Sequence, residues 1–147
     1  MNAPLYNQRI LRLAADVPPD RLATPMAVVE KRSPVCGSRV TVDVDVGADG
    51  RVSAIGLLVR ACALGQASSA LMAAAAPGKT ADELAHARDA LTAWLAGEGP
   101  MPDWPGIDVF APALPHSARH ASIRLAFEAV AEAACAASAR IGDRSER

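Results

Sequence analysis

A chain of 147 residues fits one domain of ordinary size, long enough to bury a single continuous core. Fifteen lysines and arginines against sixteen aspartates and glutamates leave a net charge of -1, which excludes the basic footprint of a nucleic-acid binder. No stretch approaches the roughly 20 apolar residues of a membrane helix, and residues 1–9 have no apolar run of signal-peptide type, so the expectation is a cytoplasmic protein without membrane contact.

Residues 5–15 carry Ile10, Leu13 and Ala14 at helical spacing and stop at Val17-Pro18-Pro19, which cannot continue a helix. Residues 26–30 read as a first strand. In residues 39–46, Val40, Val42, Val44 and Val46 alternate with Arg39, Thr41, Asp43 and Asp45, the pattern of a strand with one face buried and one wet. Gly47-Ala48-Asp49-Gly50 then turns the chain into a third strand over 51–60, giving three antiparallel strands.

After Cys62 the period changes from 2 to 3.6, with Leu64, Ala67, Leu71 and Ala75 on one face, until Pro77-Gly78 ends the helix. Thr80-Ala81-Asp82-Glu83 is a capping box opening a further helix with Leu84, Ala87, Leu91 and Leu95 inward, closed by Gly97. Residues 99–115 hold Trp104 and Phe110 among prolines and glycines and read as an ordered loop whose aromatics pack in the core. The last helix is expected over residues 116–140 with Ile123, Phe127, Val130 and Ala134 inward, and residues 141–147 as a frayed tail. The whole chain, 1–147, thus reads as one α+β domain, a small three-stranded antiparallel sheet packed against several helices.

Three cysteines in a reducing compartment serve metal binding, catalysis or plain burial rather than disulfides. Cys36 precedes a strand, and Cys62 opens a helix, where the dipole and free N–H groups favour a thiolate. Thiolates and imidazoles are ligands for zinc or iron, so two cysteines and His120 brought together by a fold make a metal or sulfur-handling site. His116 and His120, four apart on the expected last helix, would share one face, and His116 could complete a tetrahedral zinc site. Cys135, about 20 Å along the helix from His120 at about 1.5 Å per residue, cannot join them and reads as core packing. His86 and the carboxylates Asp43, Asp45, Asp82 and Glu83 read as solvated groups. No phosphate loop, serine elbow or paired-carboxylate constellation is present, which excludes conventional hydrolase or kinase chemistry.

The element order and the residues around the cysteines resemble the U-type family of iron–sulfur assembly proteins, the IscU, SufU and NifU N-terminal scaffolds, over most of the chain. Asn7-Gln8-Arg9-Ile10-Leu11 is similar to the family's leading helix, Cys36-Gly37 to its first site motif, Cys62 with the small-residue helix after it to the second, and His120-Ala121-Ser122 to the third. The long connection between Cys62 and His120 resembles the SufU type. Two positions depart from the family pattern: Ser38 stands where an Asp is usual, and Ala121 where the third cysteine is usual.

The resemblance implies a scaffold or sulfur-relay protein, at most an accessory sulfurtransferase, that accepts persulfide sulfur from a cysteine desulfurase on Cys36. It further implies zinc or iron, or a labile cluster, held by Cys36, Cys62 and His120, and delivery to iron–sulfur apoproteins or carriers. The alternative is a degenerate, non-catalytic member that binds and modulates a desulfurase or scaffold. A zinc-stabilised structural domain is a third reading.

Overall fold

The computed structural model describes residues 7–16, 19–34 and 37–145. Helix α1 (Gln8–Ala15) is followed by strands β1 (Ala27–Arg32), β2 (Arg39–Val46) and β3 (Val52–Arg60), helices α2 (Ala63–Ala75) and α3 (Ala81–Leu95), two 3-10 helices (Ile107–Ala113 and Ser117–Arg119) and helix α4 (His120–Ser145). The strands form one antiparallel sheet in the order β1-β2-β3, so the molecule is α+β as the sequence implies. The segment 17–18, expected to end the first helix, lies outside the described residues. No helix among those described is long and apolar enough to cross a membrane.

α4 is the element around which the rest packs. Its residues Ile123, Ala126, Phe127, Val130, Ala134 and Ala137 are buried, and so are Leu125, Ala129 and Ala133 on other sides. A helix apolar on most of its circumference belongs inside a fold. Accordingly, α4 lies against β1 and β2 on one side and against α2 and α3 on others. Its alanines let these neighbours come close. Val40, Val42 and Val44 are fully buried on the sheet face toward it. The helical backbone continues to Ser145, beyond the end at residue 140 read from the sequence.

The irregular residues 99–115 are part of the core. Trp104 is buried, its indole Nε1–H donates to the Leu71 carbonyl at 2.9 Å, and its ring meets that of Phe127 edge-on at 5.0 Å. Phe110, in the first 3-10 helix, is fully buried. Both aromatics therefore pack in the core, as expected from the sequence. The Thr80 capping box forms as read, and α3 closes with Gly97 N–H to Trp94 O at 3.0 Å and Glu98 N–H to Ala93 O at 2.8 Å, the paired bonds of a Schellman ending.

The second face of the sheet departs from simple alternation. Asp43 was expected to be wet and is fully buried, because residues 19–22 cross this face. Leu57 N–H donates to the Pro19 carbonyl at 3.1 Å, and Leu22 N–H to Asp43 Oδ2 at 3.0 Å. Gly56, paired with Asp43 across the strands, makes the crossing possible, since a Cβ there would stand 2.7 Å from Asp20 O and 2.8 Å from Leu22 N. Arg21 closes the lid with Nε 2.6 Å and Nη2 2.9 Å from the two Asp43 oxygens. Burial alone would raise the Asp43 carboxyl, but the guanidinium and the Leu22 N–H outweigh it and hold it below the usual aspartate value.

Cys135 also corrects the sequence reading. Ala131 and Ala134 beside it are buried, whereas the thiol itself lies on the exposed side of α4.

Candidate functional site

Three segments distant in sequence meet at the first turn of α4. The loop joining β1 to β2 brings Ser38 to Ser122, hydroxyl to hydroxyl at 3.4 Å. The first turn of α2 reaches the same residue, since a Cβ on Gly65 would lie 3.3 Å from the Ser122 carbonyl oxygen and 2.6 Å from Ala61 Cβ. One turn on, Ser68 Oγ donates to the Ile123 carbonyl at 2.5 Å, and both serines are buried. Small hydroxyl residues and a missing side chain thus let two helix N-termini and a hairpin loop converge.

Each segment carries one of the candidate ligands. Cys62 is the N-cap of α2, with extended backbone at φ -66 and ψ 174, and is partly buried. A residue there caps without donating to the helix ladder, so its thiol is placed at the helix start rather than along its side. Cys36 lies outside the described residues. Its loop is closed on both sides of it by Ser33 N–H to Ser38 O at 2.8 Å and Gly37 N–H to Ser33 O at 3.2 Å. Gly37 sits at φ 72, in the left-handed region that glycine enters without a Cβ clash, so it serves the turn that leads into β2.

His120 opens α4 and is buried, with Nε2 2.9 Å from the Ala113 carbonyl oxygen. A carbonyl can only accept, so Nε2 carries the hydrogen and Nδ1 keeps the lone pair a metal would use. The first 3-10 helix, which ends at Ala113, therefore fixes the tautomer and orientation of this ring. A carbonyl contact of this kind has no sequence signal.

His116 does not share a helix face with His120. It precedes the second 3-10 helix at φ -104 and ψ 70 and is exposed, because α4 begins at His120 instead of residue 116. Among the described residues no three His, Cys, Asp or Glu side chains gather to hold a metal, so Cys62, His116 and His120 are not by themselves a ligand set. Ala121 is half-buried and offers no donor, and Ser38 is buried with its hydroxyl on Ser122. His86 is exposed on α3, in an open groove with Lys79, Asp82, Glu83 and Asp103.

No family model and no curated protein sequence matches the chain. Among solved structures, the N-terminal NifU-like protein described as nitrogen-fixing, from Brucella abortus, superposes with a TM-score of 0.85 at 43% identity, covering 92% of this chain and 96% of that one. The chain belongs to the NifU-like, U-type family. A second structure, a putative iron–sulfur cluster assembly scaffold protein for the SUF system from the thermophile Fervidobacterium islandicum AW-1, gives a TM-score of 0.81 at 19% identity over 88% of this chain and 96% of that one, a likeness of fold. The two departures at Ser38 and Ala121 therefore stand in a chain whose backbone follows this U-type fold almost from end to end.

Proposed function

We propose that this protein is an iron–sulfur cluster assembly scaffold or sulfur relay that accepts sulfur from a cysteine desulfurase and passes its cargo to apoproteins or carriers in the cytoplasm. The observation that carries this reading is the convergence of the 33–38 loop, the start of α2 and the start of α4 on Ser122, in a chain 43% identical to a NifU-like protein. Each converging segment brings one soft or borderline donor.

Cys36 is the proposed sulfur acceptor. Its thiolate attacks the outer sulfur of the desulfurase persulfide. The donor S–S bond breaks, a new S–S bond forms on Cys36, and the desulfurase cysteine departs as thiolate, so the transfer consumes neither oxidant nor reductant. Cys36, Cys62 and His120 through Nδ1 form a donor set that suits zinc or iron. A bound zinc would supply a positive charge that keeps coordinating thiols deprotonated. With alanine at 121, the chain offers three ligands where a tetrahedral metal takes four, which leaves one position for cargo or a partner's ligand.

The test is incubation with desulfurase and cysteine, followed by mass spectrometry of the trapped persulfide. Sulfur on Cys36 supports the relay. Sulfur on Cys62 alone reverses the roles, and Cys135, an exposed thiol away from the site, reports non-specific transfer. The second reading is a degenerate member that binds and modulates a desulfurase or scaffold without handling sulfur. The Ser38 to Ser122 contact favours it, because it puts a structural stitch where the family pattern has a carboxylate. No transfer to any thiol, with desulfurase turnover still altered, would select that reading.

A further inference from the structure

The sheet contains an arrangement that runs against its own electrostatics. Its register pairs Arg32 with Arg39 and Arg39 with Arg60, so three arginines form one row across all three strands. Residues paired in this way project from the same face, and like charges directly opposite one another destabilise a sheet. This is the face away from α4, since Val40, the next residue along β2, is fully buried on the other. The row borders the candidate site: Arg32 and Arg39 flank the 33–38 loop, and Arg60 stands two residues before Cys62.

One carboxylate pairs with two of the three guanidiniums. Glu30, in the neighbouring row, lies 3.1 Å from Arg32 Nε and 3.5 Å from Arg39 Nε. Arg60 has no ion pair among the described residues and is exposed. The surplus is local, because the chain as a whole carries -1. In the next row on the same face, Leu58 is 41% exposed. Arg32, Ser33, Pro34, Gly37, Arg39 and Arg60 line an open groove of about 560 Å³.

We propose that this groove docks an acidic segment of a protein partner, with carboxylates bridging Arg39 and Arg60 and an apolar side chain on Leu58. Strands lie about 4.8 Å apart, so the row spans about 10 Å, more than one small anion bridges. An extended peptide places alternate side chains about 6.6 Å apart on one face and can meet it with two carboxylates. A nucleic acid would have to lay further phosphates on a chain of net negative charge. Incoming carboxylates compete with Glu30 for Arg32 and Arg39, so this acid acts as a weak internal competitor.

The test is a titration of the full-length, isotope-labelled protein followed by amide NMR, using a synthetic hexapeptide of glutamates alternating with serines and ending in leucine. The peptide is expected to move the signals of Arg39, Thr41, Leu58 and Arg60, with an affinity that falls as salt rises. Arg39→Gln combined with Arg60→Gln should weaken it about tenfold, and Glu30→Gln should tighten it several-fold. Three results would overturn the proposal: unchanged affinity in Glu30→Gln, equal perturbation around Arg12, Arg88 and Arg119, or the same signals moved as readily by inorganic phosphate or more tightly by a hexanucleotide. Glu30→Gln is a surface change that leaves the core untouched, so it decides the matter even if the double arginine variant folds poorly.

Discussion

The first turn of α4 and the turns that follow it are held in opposite ways. At the start, contacts are polar and small: Ser122 against Ser38 and Gly65, the Ile123 carbonyl accepting from Ser68, and His120 donating to Ala113 O. Further along, contacts are large and apolar, with Phe127 edge-on to Trp104 and Val130 buried. The difference teaches a division of labour. The apolar turns supply the stability that lets the first turn use side chains that contribute little burial and instead set geometry.

The largest effect is expected from Phe127→Ala, which removes a buried ring and its edge contact with Trp104. Chemical denaturation should register a loss of about 3–5 kcal/mol. A loss below about 1 kcal/mol would break the comparison, because the apolar turns would then not be the anchor.

Gly65→Ala should rank next and carry a sign opposite to helix propensity. Alanine is favoured over glycine within a helix by about 1 kcal/mol, but here its methyl would meet Ala61 Cβ at 2.6 Å and the Ser122 carbonyl at 3.3 Å. Neither neighbour is a flexible tip that can swing aside. A net destabilisation of about 1–3 kcal/mol, with shifted NMR signals at Cys62 and Ser122, is predicted. Stabilisation would mean that α2 and α4 do not approach as closely as the glycine implies.

A third test concerns the lid over the sheet. Asp43 titrates lower in the folded chain than its ordinary 3.8, so its pair with Arg21 stabilises the fold above that pH, and the contribution disappears as pH falls from there through the lower folded value. In Arg21→Gln, burial is opposed only by the Leu22 N–H, so the carboxyl moves up and acid unfolding should begin at higher pH than in wild type. Superimposable acid limbs for the two proteins would contradict the assignment.

The smallest stability effect belongs to Cys62→Ser, an N-cap position where serine is itself a good cap. Its denaturation midpoint should match that of metal-free wild type while metal binding is lost, the mirror image of Phe127→Ala.

Much of this was legible in the chain. Valine alternation marked β2, the Thr80 to Glu83 pair marked the start of α3, and the 3.6 period of Leu64, Ala67, Leu71 and Ala75 marked α2, since each is a local signal. The change of period after Cys62 placed it at a helix start, and the family resemblance placed His120 near the start of the last helix. Legibility failed where a distant segment decides the environment. Asp43 reads as a wet strand residue until residues 19–22 are seen to cover it, and Cys135 reads as core until the orientation of α4 turns it outward. His116 was misplaced by one helical turn because the chain between 117 and 119 takes a 3-10 form before α4 begins. Ser122 and the Ala113 carbonyl, which organise the site, carry no pattern that periodicity could detect.

The account turns on Cys36, Cys62 and His120 acting as one donor set at the start of α4. The most direct measurement is metal analysis of anaerobically purified, zinc-replete protein beside Cys36→Ser, Cys62→Ser and His120→Ala, each checked for unchanged folding. The account predicts about one zinc per wild-type chain and its loss in all three variants. Equal metal content in wild type and variants, whether high or negligible, would contradict it.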